Sequence, residues 1–176
     1  MARETSLTGK EVYFNENELI VSKTDLKGTL TYVNDVFCSI AGYKEIECLG
    51  QPHSMIRNAN MPRSIFDLLW KTIQSGNEIF AYVVNRCKNG DHYWVLAHVT
   101  PSYSSRGSVN GYHSSRRVPD RNILNNTVIP LYKSLLVEEK KHANRKDGMQ
   151  AANRMISDIL SKENVKYDEY VARLAA

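Results

Sequence analysis

EIFAYVVNRCKNGDHYWVLAHVTPSY, residues 78–103, decides the fold. Two β-rich runs, 78–87 and 92–103, flank Lys88-Asn89-Gly90-Asp91. Asn-Gly between such runs is the strongest short-range hairpin signal, because the tight turn requires positive φ. Downstream, the loop SSRGSVNG leads to GYHSSRR (111–117), a further strand. Upstream, ELIVSKTD (18–25), the turn Leu26-Lys27-Gly28 and TLTYV (29–33) predict a first hairpin. Asn34-Asp35 then offers an N-cap to a short helix with Phe37, Ile40 and Ala41 on one face, stopped by Gly42. A second short helix is expected at 44–48, followed by an irregular stretch over 50–61. Met61-Pro62 opens a third helix, in which Ile65, Leu68, Leu69 and Ile73 share a face. The order β-β-α-α-α-β-β-β predicts an α+β fold: a five-stranded antiparallel sheet with helices on one face.

Beyond Pro119 the pattern turns helical. Ile123, Leu124, Val128, Leu131, Leu135 and Leu136 recur at helical spacing, and Pro130 predicts a helix that begins or kinks there. A polar break over 142–148 ends in Gly148. Met149–Lys162 reads as an amphipathic helix with Ala152, Met155, Ile156, Ile159 and Leu160 on one side, and 167–174 as a short third. These apolar stripes exceed what the sheet alone covers, which predicts a partner helix or a homodimer. Three parts are expected: an N-terminal cap (1–17), an α+β domain (18–118) and a helical C-terminal extension (119–176).

Composition narrows the function. The chain has 176 residues, 23 Lys plus Arg against 19 Asp plus Glu, and no cluster of bases on one segment that would favour nucleic acid. No apolar run approaches the ~20 residues that span a bilayer, so direct membrane insertion is not expected. The N-terminus lacks the apolar core of a signal peptide, which predicts a cytoplasmic location. Cys38, Cys48 and Cys87 show neither CxxC nor Cys/His ligand spacing, which predicts free thiols and no metal site. No nucleophile elbow, phosphate loop or paired-carboxylate signature points to an enzyme.

Several strings together resemble the PAS domain, and more closely the flavin-binding PAS sensors of bacterial aerotaxis and energy-taxis receptors. They are TDLKGTLTYVND (24–35), AGY (41–43), LGQPHSMIR (49–57), MP (61–62), LLW (68–70), NRCKNGDHYWV (85–95), GYHSSRR (111–117) and IPLYKSL (129–135). The resemblance implies a cytoplasmic redox sensor that holds FAD non-covalently between sheet and helices. It also implies signalling to a membrane-bound chemoreceptor carrying HAMP and signalling regions, with this chain as a stand-alone sensor subunit. FMN and haem b are the alternative cofactors, and a cofactor-free dimerisation adaptor is the alternative role. Haem needs an axial ligand, commonly His, and the helix 62–75 contains none, leaving His53, His98 or His113.

The resemblance assigns candidate cofactor contacts to Asn34, His53, Arg57, Asn58, Asn60, Trp70 and Asn85. Asn34 is equally suited to capping the first helix and to hydrogen-bonding a polar ring edge. Arg57 can fork onto phosphate oxygens or stack on a flat ring. His53 either lines the cleft or ties the loop to the core. Where the family reads Arg-His-x-Asp-Met-Pro, this chain reads Arg57-Asn58-Ala59-Asn60-Met61-Pro62, two neutral amides in place of an ionisable pair. Asn85 is the one polar residue in an apolar strand, which suggests an amide aimed at a ligand. Trp70 and Trp94 are expected to be buried. None of the three cysteines holds the loop position of a photo-adduct; His53 lies near it.

Overall fold

A computed structural model describes residues 6–174, so the first five residues of the expected cap and the last two of the extension lie outside the described residues. The sheet comprises β1 (Ile20–Thr24), β2 (Leu30–Val33), β3 (Ile79–Arg86), β4 (His92–Tyr103) and β5 (Val109–Arg117), ordered β2-β1-β5-β4-β3 and antiparallel throughout. The β3–β4 turn closes through Gly90 at φ 94° and a Cys87 N–H donating to the Asp91 carbonyl. Its register pairs Val83 with Val95 and Asn85 with Tyr93.

Three helices follow β2 on the inner face: α1 (Asp35–Ala41), α2 (Glu45–Cys48) and, after a 3-10 turn at His53–Ile56, α3 (Arg63–Gln74). Phe37, Ala41, Ile65 and Ile73 lie in the core with Ile20, Tyr93 and Val95 of the sheet. The N-terminal segment follows the β3–β4 hairpin. Val12 N–H donates to the His92 carbonyl, His92 N–H donates to Lys10, and Thr8 Oγ1 donates to Asp91 Oδ1. That segment occupies the flank of β4 beyond Leu96↔Arg117, where β5 has ended. Arg121 fixes it from the other side, 2.6 Å from Glu11 and with its guanidinium 4.5 Å from the Tyr13 ring centre.

The C-terminal chain forms α4 (Arg121–Ile123), a π-turn (Leu124–Val128), α5 (Ile129–Lys140), α6 (Arg145–Glu163) and α7 (Tyr167–Leu174). The regular helix α5 therefore starts at Pro130 to within one residue, as expected. The wider π-turn precedes it, with Ile129 N–H donating to the Leu124 carbonyl, and Pro130 falls in the first turn of α5, where its missing N–H is tolerated. Gly148 does not end a break. It lies inside α6, which begins at Arg145 after the cap Asn144. A Cβ on Gly148 would lie 2.2 Å from the Glu139 carbonyl oxygen, so this glycine lets α6 cross close to the end of α5.

The apolar stripes expected to need a partner are covered within the chain. α5 packs on α6, α6 on α3 and α7 on β3. Leu124, Val128, Leu135, Ala152, Ile156 and Val171 are all buried. Tyr82, Val84 and Trp94 alternate with the inner residues of β3 and β4 and so point to the opposite face. There the Tyr132 ring lies 5.9 Å from Trp94, and its hydroxyl donates to the Tyr82 carbonyl at 2.5 Å. The extension thus closes the β3 edge and wraps back onto the helical face.

Candidate functional site

The inner face alternates polar and apolar residues at one place. Ser22 and Thr24 of β1, Asn85 of β3, and Tyr112, Ser114 and Arg116 of β5 line a cavity of about 70 Å³, roofed by Phe66, Leu69, Trp70 and Ile73 of α3. His53, Phe66, Trp70 and Asn85 also line a second cavity of about 620 Å³, so the first is the blind end of one continuous cleft. The wider part is bordered by Lys27, Gly28, the 52–57 loop, Arg63, Asp67, Arg145 and Met149.

Arg116 governs the blind end. It is 2 % exposed and its Nη2 donates to Ser22 Oγ and to His53 Nε2, both at 2.6 Å. No carboxylate of the described residues lies within 4 Å of it, and its Nη1 has no partner. A guanidinium has no acceptor, so His53 Nε2 must carry the lone pair and Nδ1 the proton of the neutral ring. Burial first, then the Arg116 charge, holds the His53 pKa down to about 3. Burial likewise lowers that of Arg116. An isolated buried cation is costly, and such groups mark sites that accept a negative or electron-rich partner.

Asn85 is 2 % exposed and its Nδ2 also lacks a partner. Its backbone bridges Arg57, which ties β3 to the loop that walls the cleft. The Met55 carbonyl accepts from Arg86 Nη2 at 3.3 Å and holds the same loop from the next residue. Arg57 lays its guanidinium 4.8 Å from the Phe66 ring centre. Its pKa is lowered by burial and then by Arg63, which means two like charges share this wall. Trp70 crosses the cleft edge-on to Tyr112 at 5.6 Å, against Gly28. A Cβ on Gly28 would come within 3.0 Å of that indole, and its φ of 82° independently favours glycine.

Of the sequence candidates, His53, Arg57, Trp70 and Asn85 thus meet at one cleft. Asn34 does not line it. Its Oδ1 accepts from Phe37 N–H and Val21 N–H, both at 3.0 Å, and its Nδ2 donates to the Leu19 carbonyl at 2.7 Å. The amide that could have met a ring edge instead caps α1 and ties it to β1. Asn58 is buried away from the cleft wall, where its Oδ1 accepts the Asn60 N–H at 2.8 Å. Asn60 is exposed. The two amides therefore shape the turn into Met61. Arg116 is the residue that sequence reading missed. Its signal was parity, since Tyr112, Ser114 and Arg116 share a face two residues apart.

The thiols are elsewhere: none lines the cleft, and burial raises the pKa of Cys48 and of Cys87 to about 11. His98 stacks on Phe80 at 4.1 Å and pairs with Glu78 on the outer face of the sheet. Trp94, expected to be buried, is buried on that outer face beneath Tyr132.

A sheet whose inner face and helical loop enclose a ligand-sized cleft defines a sensor fold, and residues 30–115 match the family model of the PAS fold. The chain therefore carries a PAS domain over these residues. It is 38 % identical over 136 residues to the aerotaxis receptor of Escherichia coli, covering 77 % of this chain and 26 % of that receptor. It is 27 % identical over 97 residues to the nitrogen fixation regulatory protein of Klebsiella pneumoniae, covering 55 % of this chain and 20 % of the regulator. The chain thus spans about a quarter or less of these relatives. Among solved structures, an RNA-binding light-oxygen-voltage receptor superposes with a TM-score of 0.57 at 18 % identity, covering 72 % of this chain and 37 % of that one. The dark-state Aureochrome1 LOV domain gives 0.53 at 21 %, covering 69 % and 84 %. At these identities the match is one of fold.

Among the described residues no helix is long and apolar enough to cross a membrane, and no cluster of His, Cys, Asp and Glu is arranged to hold a metal.

Proposed function

We propose that this chain is a non-enzymatic sensor that binds FAD non-covalently in the cleft and reports redox or energy state to a membrane-bound chemoreceptor. The observation that carries the reading is the pair of buried, partnerless donors, Arg116 Nη1 and Asn85 Nδ2, at the blind end of a cleft lined by aromatics. A flavin ring system fits that chemistry: it is flat, apolar over its benzenoid end, and rich in acceptors along its pyrimidine edge. When bound, it supplies reversible electron acceptance, and reduction places more negative charge in the ring.

The protein's part is to orient and to respond. His53 and Ser22 aim the Arg116 guanidinium, Phe66 and Trp70 exclude water, and Asn85 offers an adjustable amide. A change of charge beside Arg116 alters its pull on His53, which belongs to the 3-10 turn, and on Ser22 of β1. Both elements reach the surface, so the change is carried by a differential interaction rather than by binding alone. Haem suits the cleft less well: His53 is the histidine lining it, and its Nε2 already accepts from Arg116.

The test is the visible spectrum of freshly purified, untagged protein before and after dithionite. A flavin spectrum that bleaches supports the reading, and chromatography after acid release separates FAD from FMN. A Soret band, or a colourless protein that excess FAD does not reconstitute, overturns it.

A further inference from the structure

The cleft does not end at the PAS domain. Its outer part is bordered by Arg145 and Met149, which belong to α6 of the C-terminal extension. Arg57, Arg63 and Arg145 also line an adjoining cavity of about 380 Å³ with Lys140, His142 and a single acid, Glu139, so this wall of the opening is basic on balance. Among the described residues none of Lys27, Arg57, Arg63 and Arg145 has a carboxylate within 4 Å. The two acids nearby already hold hydrogen-bond partners, and Glu139 also acts on the Arg57 charge. Asp67 accepts from Lys71 and Asn153, at 2.6 and 2.8 Å, and Glu139 Oε1 accepts the Ser64 N–H at 2.9 Å.

Two of these contacts position α6. Asn153 Nδ2 to Asp67 joins α6 to α3, and Glu139, which anchors α3, is also the residue whose carbonyl Gly148 lets α6 approach. The extension is therefore held with Arg145 and Met149 over an opening that Asn85 also lines. Burial first, and then the neighbouring Arg63, disfavour the Arg57 charge, which Glu139 offsets only in part, and an anion at the opening favours it. Guanidinium forks match phosphate oxygens bidentately, and a thioether packs well on a flat heterocycle.

We infer that the C-terminal extension completes the nucleotide site: Arg57, Arg63 and Arg145 hold the phosphates of a flavin dinucleotide, and Met149 packs against its adenine. The inference rests on the flavin reading and deepens it, since it selects FAD over FMN through residues outside the PAS domain.

The experiment titrates the cofactor-free full chain with riboflavin, FMN and FAD, at low and at high salt. Wild type is expected to bind FAD at least about tenfold more tightly than riboflavin, with the gap shrinking as salt rises. Arg145→Gln and, separately, Arg63→Gln narrow the gap while leaving riboflavin affinity unchanged. Arg145 is exposed, so its replacement leaves the fold intact. Equal affinities for FMN and FAD or for riboflavin and FAD in wild type, or a gap that neither variant narrows, overturn the inference and leave the flavin reading standing. A wild-type chain that binds none of the three flavins overturns both.

Discussion

His53 Nε2 accepts a hydrogen bond from Arg116 Nη2 at 2.6 Å, which joins the helical loop to β5, the central strand of the sheet, across the blind end of the cleft. The pair has an uncommon electrostatic character. A histidine is kept neutral so that a buried cation can retain one of its acceptors, while another of that cation's donors stays open.

The pH dependence of stability follows from it. The unfolded His53 titrates near 6.5 and the folded one near 3. Between those values the unfolded chain binds the extra proton, so stability is full above about pH 6.5 and is lost as pH falls toward 3. His113, lowered by burial and then Lys23, acts with the same sign. His53→Gln is expected to flatten the loss between pH 7 and pH 4.5 by about 1–3 kcal/mol, read from urea unfolding at both values. Equal slopes for the variant and wild type reject the assignment.

Asn85 should separate stability from binding. Its Nδ2 is buried without a partner, and such a donor costs about 1–3 kcal/mol. Asn85→Leu is therefore expected to hold or raise the Tm of the cofactor-free protein while lowering flavin affinity at least about tenfold. A variant that melts lower yet binds flavin normally contradicts this role.

Arg116 should set the redox balance. A buried cation favours the more negative state of a neighbouring group. Arg116→Leu is expected to lower the midpoint potential of the bound flavin by about 30 mV or more, one tenfold step of a two-electron couple. Spectroelectrochemical titration decides it. An unchanged potential with the flavin still bound would sink the idea.

Gly148 inverts the usual rule for helices. Gly→Ala inside a helix ordinarily stabilises by roughly 0.5–1 kcal/mol. Here the new Cβ meets the Glu139 carbonyl, and Gly148→Ala is expected to destabilise by about 1–3 kcal/mol. For a chain of this size that lowers Tm by several degrees, about 2–4 °C per kcal/mol. A higher Tm would show that α5 and α6 do not cross so closely.

The extension should be needed by the sheet it wraps. Reading the sequence as separable parts predicts that a chain ending at Val118 keeps its cofactor. The structure instead buries Trp94 and Tyr82 beneath Tyr132 and borders the cleft with Arg145. The truncated chain is expected to bind more of a hydrophobic dye and to lose FAD affinity. Tyr132→Phe in the full chain keeps the ring and removes only the hydroxyl, with its bond to the Tyr82 carbonyl and its contact with Tyr167, at about 1 kcal/mol or more. Truncation without either effect would support independent parts.

By itself the sequence determined the strands, the hairpin and the helical faces, because Asn89-Gly90, the Asn34 cap and the apolar spacing of α3 act over a few residues. It also singled out His53 and Arg57 in the irregular loop, through the resemblance, and Asn85 as an amide in an apolar strand. Tertiary structure decided the rest. Asn34 became a cap tied to β1 because Leu19 and Val21 lie beside it only in the fold. Arg116 became the centre of the cleft because Ser22 and His53, 94 and 63 residues away in sequence, converge on it. Gly148 reads as the end of a polar break until a second helix is seen to pass against it. Local signals specify elements, whereas burial, and so the pKa of His53 and the openness of Arg116, exists only once distant segments have excluded water together.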